Sequence, residues 1–574
     1  MTQAVSWGKQ AAVVEKALAQ LQAQRFIQRL WDRDPGLWSS DPDVQKTILN
    51  RLGWLRVADV MAGNAGAIGA NAREIREAGF THALLLGMGG SGLFSEVCRH
   101  TFGVSEGFVH LTVLDSTDPA AIKAAQSQCS LKNLLVIISS KSGGTAEISA
   151  LSKYFYNQFK AVDKNPGNHC LVITDSGTAL EEQAKAWKVR KLFTHDAASG
   201  SDVGGRFSAL TFFGLVPASL MGIDVGKLLG RAQEMMKQCG PQAEAKDNPA
   251  LVLGAALGAF YGQGRDKMTL LCSPPLSSFG TWVEQLIAES VGKVGKGIAP
   301  IFGEKLCDPA AYGSDHVFVE LQIAGKIDPA IDKQVTALIA LGQPVIRIHY
   351  KDVYDLGGEV AKWSIATAVA GNVMGLNPFD EPNVKESKDR TKALLAAYTT
   401  QKSLPSEKPL FIDGDISIFG SQLAKTPQSM ADAVQILFSQ LRGQEYVAVL
   451  SFLARTLSLD KQVQLIRQAI NDKTGRSTML GFGPRYLHST GQLYKGGPDA
   501  EGIMLITGDD PSDLPIPDEA FSFSVLKSAQ ALGDFQALQE KKRRVLRLHL
   551  RGNLEAGLKR ILEAVSASAK EVNA

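Results

Sequence analysis

Residues 134–150 read LLVIISSKSGGTAEISA. The apolar run at 134–138 has no polar alternation, which is the pattern of a strand buried on both faces in a parallel sheet. It stops at Ser139-Ser140-Lys141-Ser142-Gly143-Gly144-Thr145, and a helical pattern begins at Ala146-Glu147-Ile148. A strand, a short hydroxyl-rich loop and a helix start together make an anion pocket. The first N–H groups of the helix lack intrahelical partners, and the positive end of its dipole points the same way. Gly143 and Gly144 let the backbone come close to a ligand, and Ser140, Ser142 and Thr145 add hydroxyl donors. A single phosphate is the expected occupant. Taken alone, the same residues also serve as an ordinary capped turn. They do not form a P-loop, because no Gly-Lys-Ser/Thr follows at the required spacing.

The strand, small-residue loop, helix unit recurs. A strand at 83–86 runs into Gly87-Met88-Gly89-Gly90-Ser91-Gly92 and a helix. Glycines 87, 89 and 92 satisfy a dinucleotide spacing, but the only acid placed to hold a ribose is Asp115. A loop facing sugar hydroxyls and phosphate is the favoured reading. Further strands at 109–114, 170–174 and 191–193 alternate with helices at 119–126 and 147–159. This order predicts a doubly wound parallel sheet with its ligands at the C-terminal strand ends, where both loops lie. A second α/β unit has a strand at 267–272, the loop SPPLSSFG and a helix at 281–288, then strands at 317–323 and 344–349. Helical periodicity at 9–31, 44–61 and 68–78 predicts a helical N-terminal segment. The expected division is a helical segment 1–78, α/β domains 79–225 and 226–400, a linker with short elements 401–445, and an α+β domain 446–574. In that last domain the order βαββαβ predicts a ferredoxin-like plait.

Three residues outside the loops stand out. Arg206 follows Gly204-Gly205 at the start of an apolar helix, where it is either a surface arginine beside a turn or a guanidinium aimed at an anion. Glu289 closes the helix in QLIAESVGKVGKG, where the dipole disfavours a carboxylate and can move its pKa toward neutrality. It is either a solvated acid or a catalytic one. His316, at the start of a strand, has the right pKa range for proton transfer, though a lone histidine is more often structural.

Composition removes other classes. The 61 basic and 58 acidic residues of the 574 leave a net charge of +3, which argues against a dedicated nucleic-acid binder. Six cysteines are scattered singly with no CxxC, as expected of reduced thiols in the cytoplasm. The start MTQAVSWGKQ lacks a signal-peptide pattern, and no apolar run reaches the roughly 18 residues that span a membrane. The nine histidines are isolated, so neither a metal nor any other cofactor is expected.

With these motifs in order, the chain resembles glucose-6-phosphate isomerases, which are built from two sugar-isomerase domains. The resemblance rests on Gly87–Ser91, Ser140–Thr145, Gly204-Gly205-Arg206-Phe207-Ser208, Glu289-Ser290 with Gly292-Lys293, Gly313-Ser314-Asp315-His316, and Asn377-Pro378-Phe379-Asp380-Glu381-Pro382 with Val384 and Lys388. The flanks RLWDRDPGLW, ILNRLGWL and GFGPRYLHSTGQLYKGGP are similar to the isomerase half of bifunctional transaldolase/glucose-6-phosphate isomerases. The resemblance implies metal-independent interconversion of glucose 6-phosphate and fructose 6-phosphate, within glycolysis and gluconeogenesis. It implies that Ser140, the Lys141 backbone, Ser142 and Thr145 hold the phosphate, and that Gly90 and Ser91 line the sugar. His316, helped by Lys388, opens the ring; Glu289 carries the proton between C2 and C1; Arg206 stabilises the enediolate. Glu381, also expected at the phosphate, stands where the family has Gln, so it must be either protonated or paired, with Lys385 or Lys388 as partner. Gly144 stands where the family loop often has Thr. A dual glucose/mannose-6-phosphate isomerase and a non-catalytic phosphosugar sensor are the alternatives. A homodimer, with His316 acting in cis or in trans, is left open. The segment 484–492 is either a lid over the active site or a structural loop.

Overall fold

The computed structural model describes residues 1–196 and 202–568. The chain opens with strand β1 (Thr2–Ser6) rather than with a helix. Helices follow up to residue 77, two of them started by an aspartate that accepts first-turn N–H groups ahead of a proline, at Asp34-Pro35 and Asp41-Pro42.

The first sheet consists of β2 (His82–Gly87), β3 (His110–Leu114), β4 (Leu134–Ser139), β5 (Cys170–Asp175) and β6 (Lys191–His195). Its order is β3-β2-β4-β5-β6, all parallel. Every residue of β4 and β5 is buried, as the unbroken apolar run requires. Helix α1 (Leu93–Phe102) follows β2 and helix α2 (Ala146–Phe159) follows β4. The strand order reverses between β2 and β4, so the Gly/Ser loops after these two strands flank one crevice.

The second sheet is built from β7 (Lys267–Cys272), β8 (Ala299–Phe302), β9 (His316–Ile323) and β10 (Val345–Tyr350), in the order β1-β10-β9-β7-β8. The N-terminal β1 adds antiparallel to β10, pairing Thr2 with His349. Helix α3 (Phe279–Val291) follows β7 and is buried throughout. Helix α4 (Asp355–Met374) is apolar on nearly all sides and runs through the interior. One hydrophobic core unites the N-terminal helices, one face of each sheet, α3 and α4.

The third sheet corrects the ferredoxin-like expectation. Its strands are β11 (Phe411–Asp413), β12 (Ile416–Ser421), β13 (Tyr446–Ser451), β14 (Thr478–Phe482), β15 (Glu501–Gly508) and β16 (Arg544–Leu550), in the order β11-β12-β16-β15-β13-β14. Strands β14, β13, β15 and β16 are parallel; only β12 and β11 run antiparallel at the edge. A plait needs antiparallel neighbours, whereas parallel strands need a crossover of a dozen or more residues, which residues 483–500 supply. The third unit is therefore another wound α/β layer.

Two further helices tie the units together. Helix α5 (Val384–Gln401) and helix α6 (Phe523–Glu540) place Leu394, Leu395, Phe523 and Leu526 in the core under the first sheet. On the other side, Ala288, Ala299 and Ile301 share a cluster with Tyr446, Leu450 and Tyr494. Among the described residues no helix is long and apolar enough to cross a membrane.

Candidate active site

The loop after β4 closes on itself and leaves the start of α2 open. Thr145 occupies the N-cap position, yet its side chain accepts no N–H from the helix. The first-turn N–H groups therefore receive no cap from Thr145. Ser140 Oγ lies 3.2 Å from Thr145 Oγ1. Gly143 has φ +66°, and a Cβ there would stand 2.8 Å from Thr178 Cβ, so only glycine fits the turn. The Lys141 amine is turned away into ion pairs with Asp175 and Asp202, both at 2.5 Å. What Lys141 offers an anion is its backbone N–H.

The second loop is fixed to the first and to Arg206. Ser139 Oγ donates to Ser91 O at 2.9 Å. A Cβ on Gly90 would lie 1.9 Å from Gly205 O, so this backbone contact sets the position of Arg206. Gly90→Ala must push the two loops apart. The expected result is a loss of roughly 1–3 kcal/mol or more of stability, with activity falling further, measured as Tm and turnover on the purified variant.

Arg206, 2% exposed, is held at every nitrogen. Its Nε donates to Ser290 Oγ at 2.8 Å, and its Nη2 to the carbonyls of Pro378 and Asp380 at 2.7 and 3.1 Å. Its Nη1 faces Glu289 at 3.4 Å and Glu381 at 2.9 Å. Glu289 is buried in α3, one turn after Gln285, whose amide donates to it at 3.4 Å. Burial pushes the Glu289 carboxyl up to about 7; Arg206 opposes that shift and the Glu381 charge adds to it. Burial acts on Glu381 in the same direction, but its contact with Arg206 outweighs burial and holds it below the usual carboxylate range. The cation beside Glu381 is therefore Arg206, not Lys385 or Lys388. Lys293 anchors the segment behind this centre, donating to Asn377 O and the Asp380 carboxylate at 3.0 and 2.8 Å.

Across the crevice stands a group that the sequence reading left unassigned. His488, in the 484–492 segment of the third unit, places its carbonyl 2.9 Å from Gln285 Nε2. Its Nε2 lies 2.8 Å from Glu147 Oε1, on the first turn of α2 next to the anion loop. Glu147 also accepts from Gln530 on α6 at 2.7 Å. The charge of Lys388 acts on both Glu147 and Glu289.

His316 is elsewhere. Its Nδ1 is 2.7 Å from Thr269 Oγ1 and its Nε2 3.2 Å from Ser477 Oγ in the third unit. It stacks on Phe318 and is buried, and burial drives its pKa down to about 4. None of these partners belongs to the Arg206–Glu289 centre. The third unit also reaches the ring, through Ser477. The role in ring opening expected of His316 therefore does not fit this structure. Asp115 pairs with Arg485 of the third unit at 3.3 Å.

A family model described as Phosphoglucose isomerase matches residues 64–300, the stretch that carries both Gly/Ser loops, Arg206 and Glu289. A glucose-6-phosphate isomerase of Acaryochloris marina is 32% identical over 306 residues, 50% of this chain and 55% of that protein. One of Citrifermentans bemidjiense is 26% identical over 425 residues, covering 67% and 78%. Over residues 64–300 the chain is similar to the phosphoglucose isomerase family. Its fold is similar to the crystal structure of a glucose-6-phosphate isomerase from Chlamydia trachomatis, with TM-score 0.56 and 16% identity over 68% of this chain and 87% of that one. The hypothetical protein TT0462 of Thermus thermophilus gives the same TM-score at 22% identity, covering 69% of this chain and all of that one. The phosphoglucose isomerase match ends before Glu381, Lys388 and His488.

Proposed function

We propose that the chain interconverts glucose 6-phosphate and fructose 6-phosphate in the cytoplasm, through ring opening and a cis-enediolate, without a metal. The observation that carries this reading is Glu289: a buried carboxyl with its pKa near 7, against a fully anchored guanidinium. A base near neutral pH is what proton transfer next to a carbonyl requires.

In this mechanism the phosphate rests on the α2 N-terminus, with Ser140, Ser142, Thr145 and the Lys141 N–H as donors. Gly90 and Ser91 line the sugar. Phosphate binding far from C1 and C2 fixes the register of the reacting carbons. His488 opens the ring: with Nε2 committed to Glu147, its Nδ1 takes the O1 proton as the C1–O5 bond breaks, and the imidazolium returns a proton to O5. Lys388 supports the same step. Glu289 then removes the C2 proton of the open aldose, the electrons forming the enediolate with its charge on O1; the O2 hydroxyl proton passes to O1, and Glu289 returns its proton to C1 as the C2 carbonyl forms. The enediolate charge arises in flight, next to Arg206, which is where a preorganised cation contributes most.

The carboxylate is the active form of Glu289, so turnover is expected to rise with pH through about 7. Glu381 holds that pKa up. In Glu381→Gln the Glu289 pKa falls, and the acid limb of the kcat/KM profile moves to lower pH. A limb that stays or moves upward contradicts the placement of Glu381.

The test of the activity is conversion of fructose 6-phosphate by the purified chain in EDTA, with mannose 6-phosphate followed in parallel. Metal-independent formation of glucose 6-phosphate supports the reading, and mannose 6-phosphate among the products makes the enzyme dual. Thermal stabilisation by the sugars without turnover would make the chain a phosphosugar sensor instead.

A further inference from the structure

The catalytic centre proposed above draws on two parts of the chain that the family match does not reach: α5, which carries Lys388, and the 484–492 segment, which carries His488. Both are remote in sequence from the first sheet, and each must be set to within a fraction of an ångström to act on one substrate. Both converge on a single buried carboxylate. Asp534 of α6 is fully buried. Its Oδ1 accepts from Ser387 Oγ at 2.9 Å, next to Lys388, and from Lys495 Nζ at 2.8 Å. Its Oδ2 accepts from Tyr486 Oη at 2.6 Å, two residues before His488. Tyr486 and Lys495 are buried as well. Burial, with the Asp534 charge added, drives the Tyr486 hydroxyl well above its ordinary pKa, so it stays a donor.

We propose that Asp534 is the positioning residue that sets His488 and Lys388 in the one geometry that opens the sugar ring, which makes the third α/β unit part of the catalytic centre. The proposal rests on the isomerase reading. The geometry explains why the carboxylate carries three donors from three different elements. Lys495 neutralises it, and each of the two hydroxyls fixes one catalytic side chain. Neighbouring contacts keep the arrangement stiff. Gln492 donates to Gly292 O at the end of α3 and to Asn383 Oδ1, both at 2.9 Å. A Cβ on Gly533 would approach Thr391 to 3.2 Å, so α5 and α6 lie in close contact beside Asp534.

The experiment uses the full chain and two readouts: isomerisation of fructose 6-phosphate, and α/β anomer exchange of glucose 6-phosphate by exchange NMR, which reports ring opening alone. Tyr486→Phe and Ser387→Ala each remove one hydroxyl and leave the Asp534–Lys495 pair intact. Each is expected to keep the parental Tm within a few degrees and KM within about twofold, while kcat and anomer exchange fall together by about 10- to 100-fold. Because Asp534→Asn alone strands a buried ammonium, it is made together with Lys495→Met. Adding Tyr486→Phe to that pair is expected to change nothing further. Unchanged anomer exchange in both single variants, or a rise in KM alone, overturns the proposal. If the unmodified chain exchanges anomers but does not isomerise, the isomerase reading fails while the same variants still decide the role of Asp534. If it does neither, both fall.

Discussion

Replacing Glu289 with glutamine abolishes isomerisation and leaves phosphosugar binding in place. In the proposed mechanism the phosphate is held by the α2 N-terminus and its loop rather than by Glu289, and the glutamine side chain keeps the volume of Glu289 and an oxygen for Arg206 and Gln285 to donate to. What disappears is the base. General acid–base groups of this kind contribute about 10²- to 10⁴-fold, and Glu381, which shares the Arg206 Nη1 with Glu289, is a poor substitute because its contact with Arg206 holds it below the usual carboxylate range. The substitution also affects stability. The folded-state pKa of Glu289 is raised, so the protonated form is the one the fold prefers. Its contribution is present below its ordinary pKa of 4.5 and is lost as pH rises through about 7. A glutamine is permanently neutral, so the Glu289→Gln variant is expected to melt higher than the parent above pH 7 and nearly with it below pH 5. Thermal melts at the two pH values check the sign.

Replacing His488 with alanine is the second large effect. Ring opening becomes the slow step, and both isomerisation and anomer exchange fall by about 10² or more. His316→Ala does not reproduce this kinetic loss, because His316 lies between Thr269, Phe318 and Ser477, away from the crevice. Its cost is in stability, since two buried hydroxyls lose their partner. Assaying the two histidine variants side by side separates the roles: kinetic loss at His316 with none at His488 contradicts the geometry.

These expectations also show which parts of the molecule could be read from the sequence. The first sheet was legible because LLVII and its neighbours can only be strands buried on both faces, and because Gly and Ser end them so sharply. The positions of the 139–145 loop ahead of α2, of Arg206 after its Gly-Gly turn and of Glu289 on α3 followed from the same punctuation. Strand β1 was not legible: five residues with little burial gain their meaning only from pairing with β10, more than three hundred residues away. The third sheet was misread because its crossover at 483–500 is made of a 3-10 turn and a six-residue helix, which carry almost no periodicity, so two parallel strands looked like consecutive antiparallel ones. His316 was misplaced because a resemblance transfers a residue type but not the surface around it, and here the third unit reaches that surface through Ser477. The signal for His488 was present in the density of polar groups in PRYLHSTGQ. What the sequence lacked was the distance from that segment to Glu147, which the packing of α6 against the first sheet decides.

The most direct measurement places the unmodified chain and Glu289→Gln with fructose 6-phosphate in D2O and EDTA, and follows C1 and C2 by proton NMR. The account predicts that the unmodified chain forms glucose 6-phosphate, with deuterium entering at the carbons that exchange the proton, and that the variant does neither while still binding the sugar phosphate. Equal rates of product formation in the two proteins would contradict it.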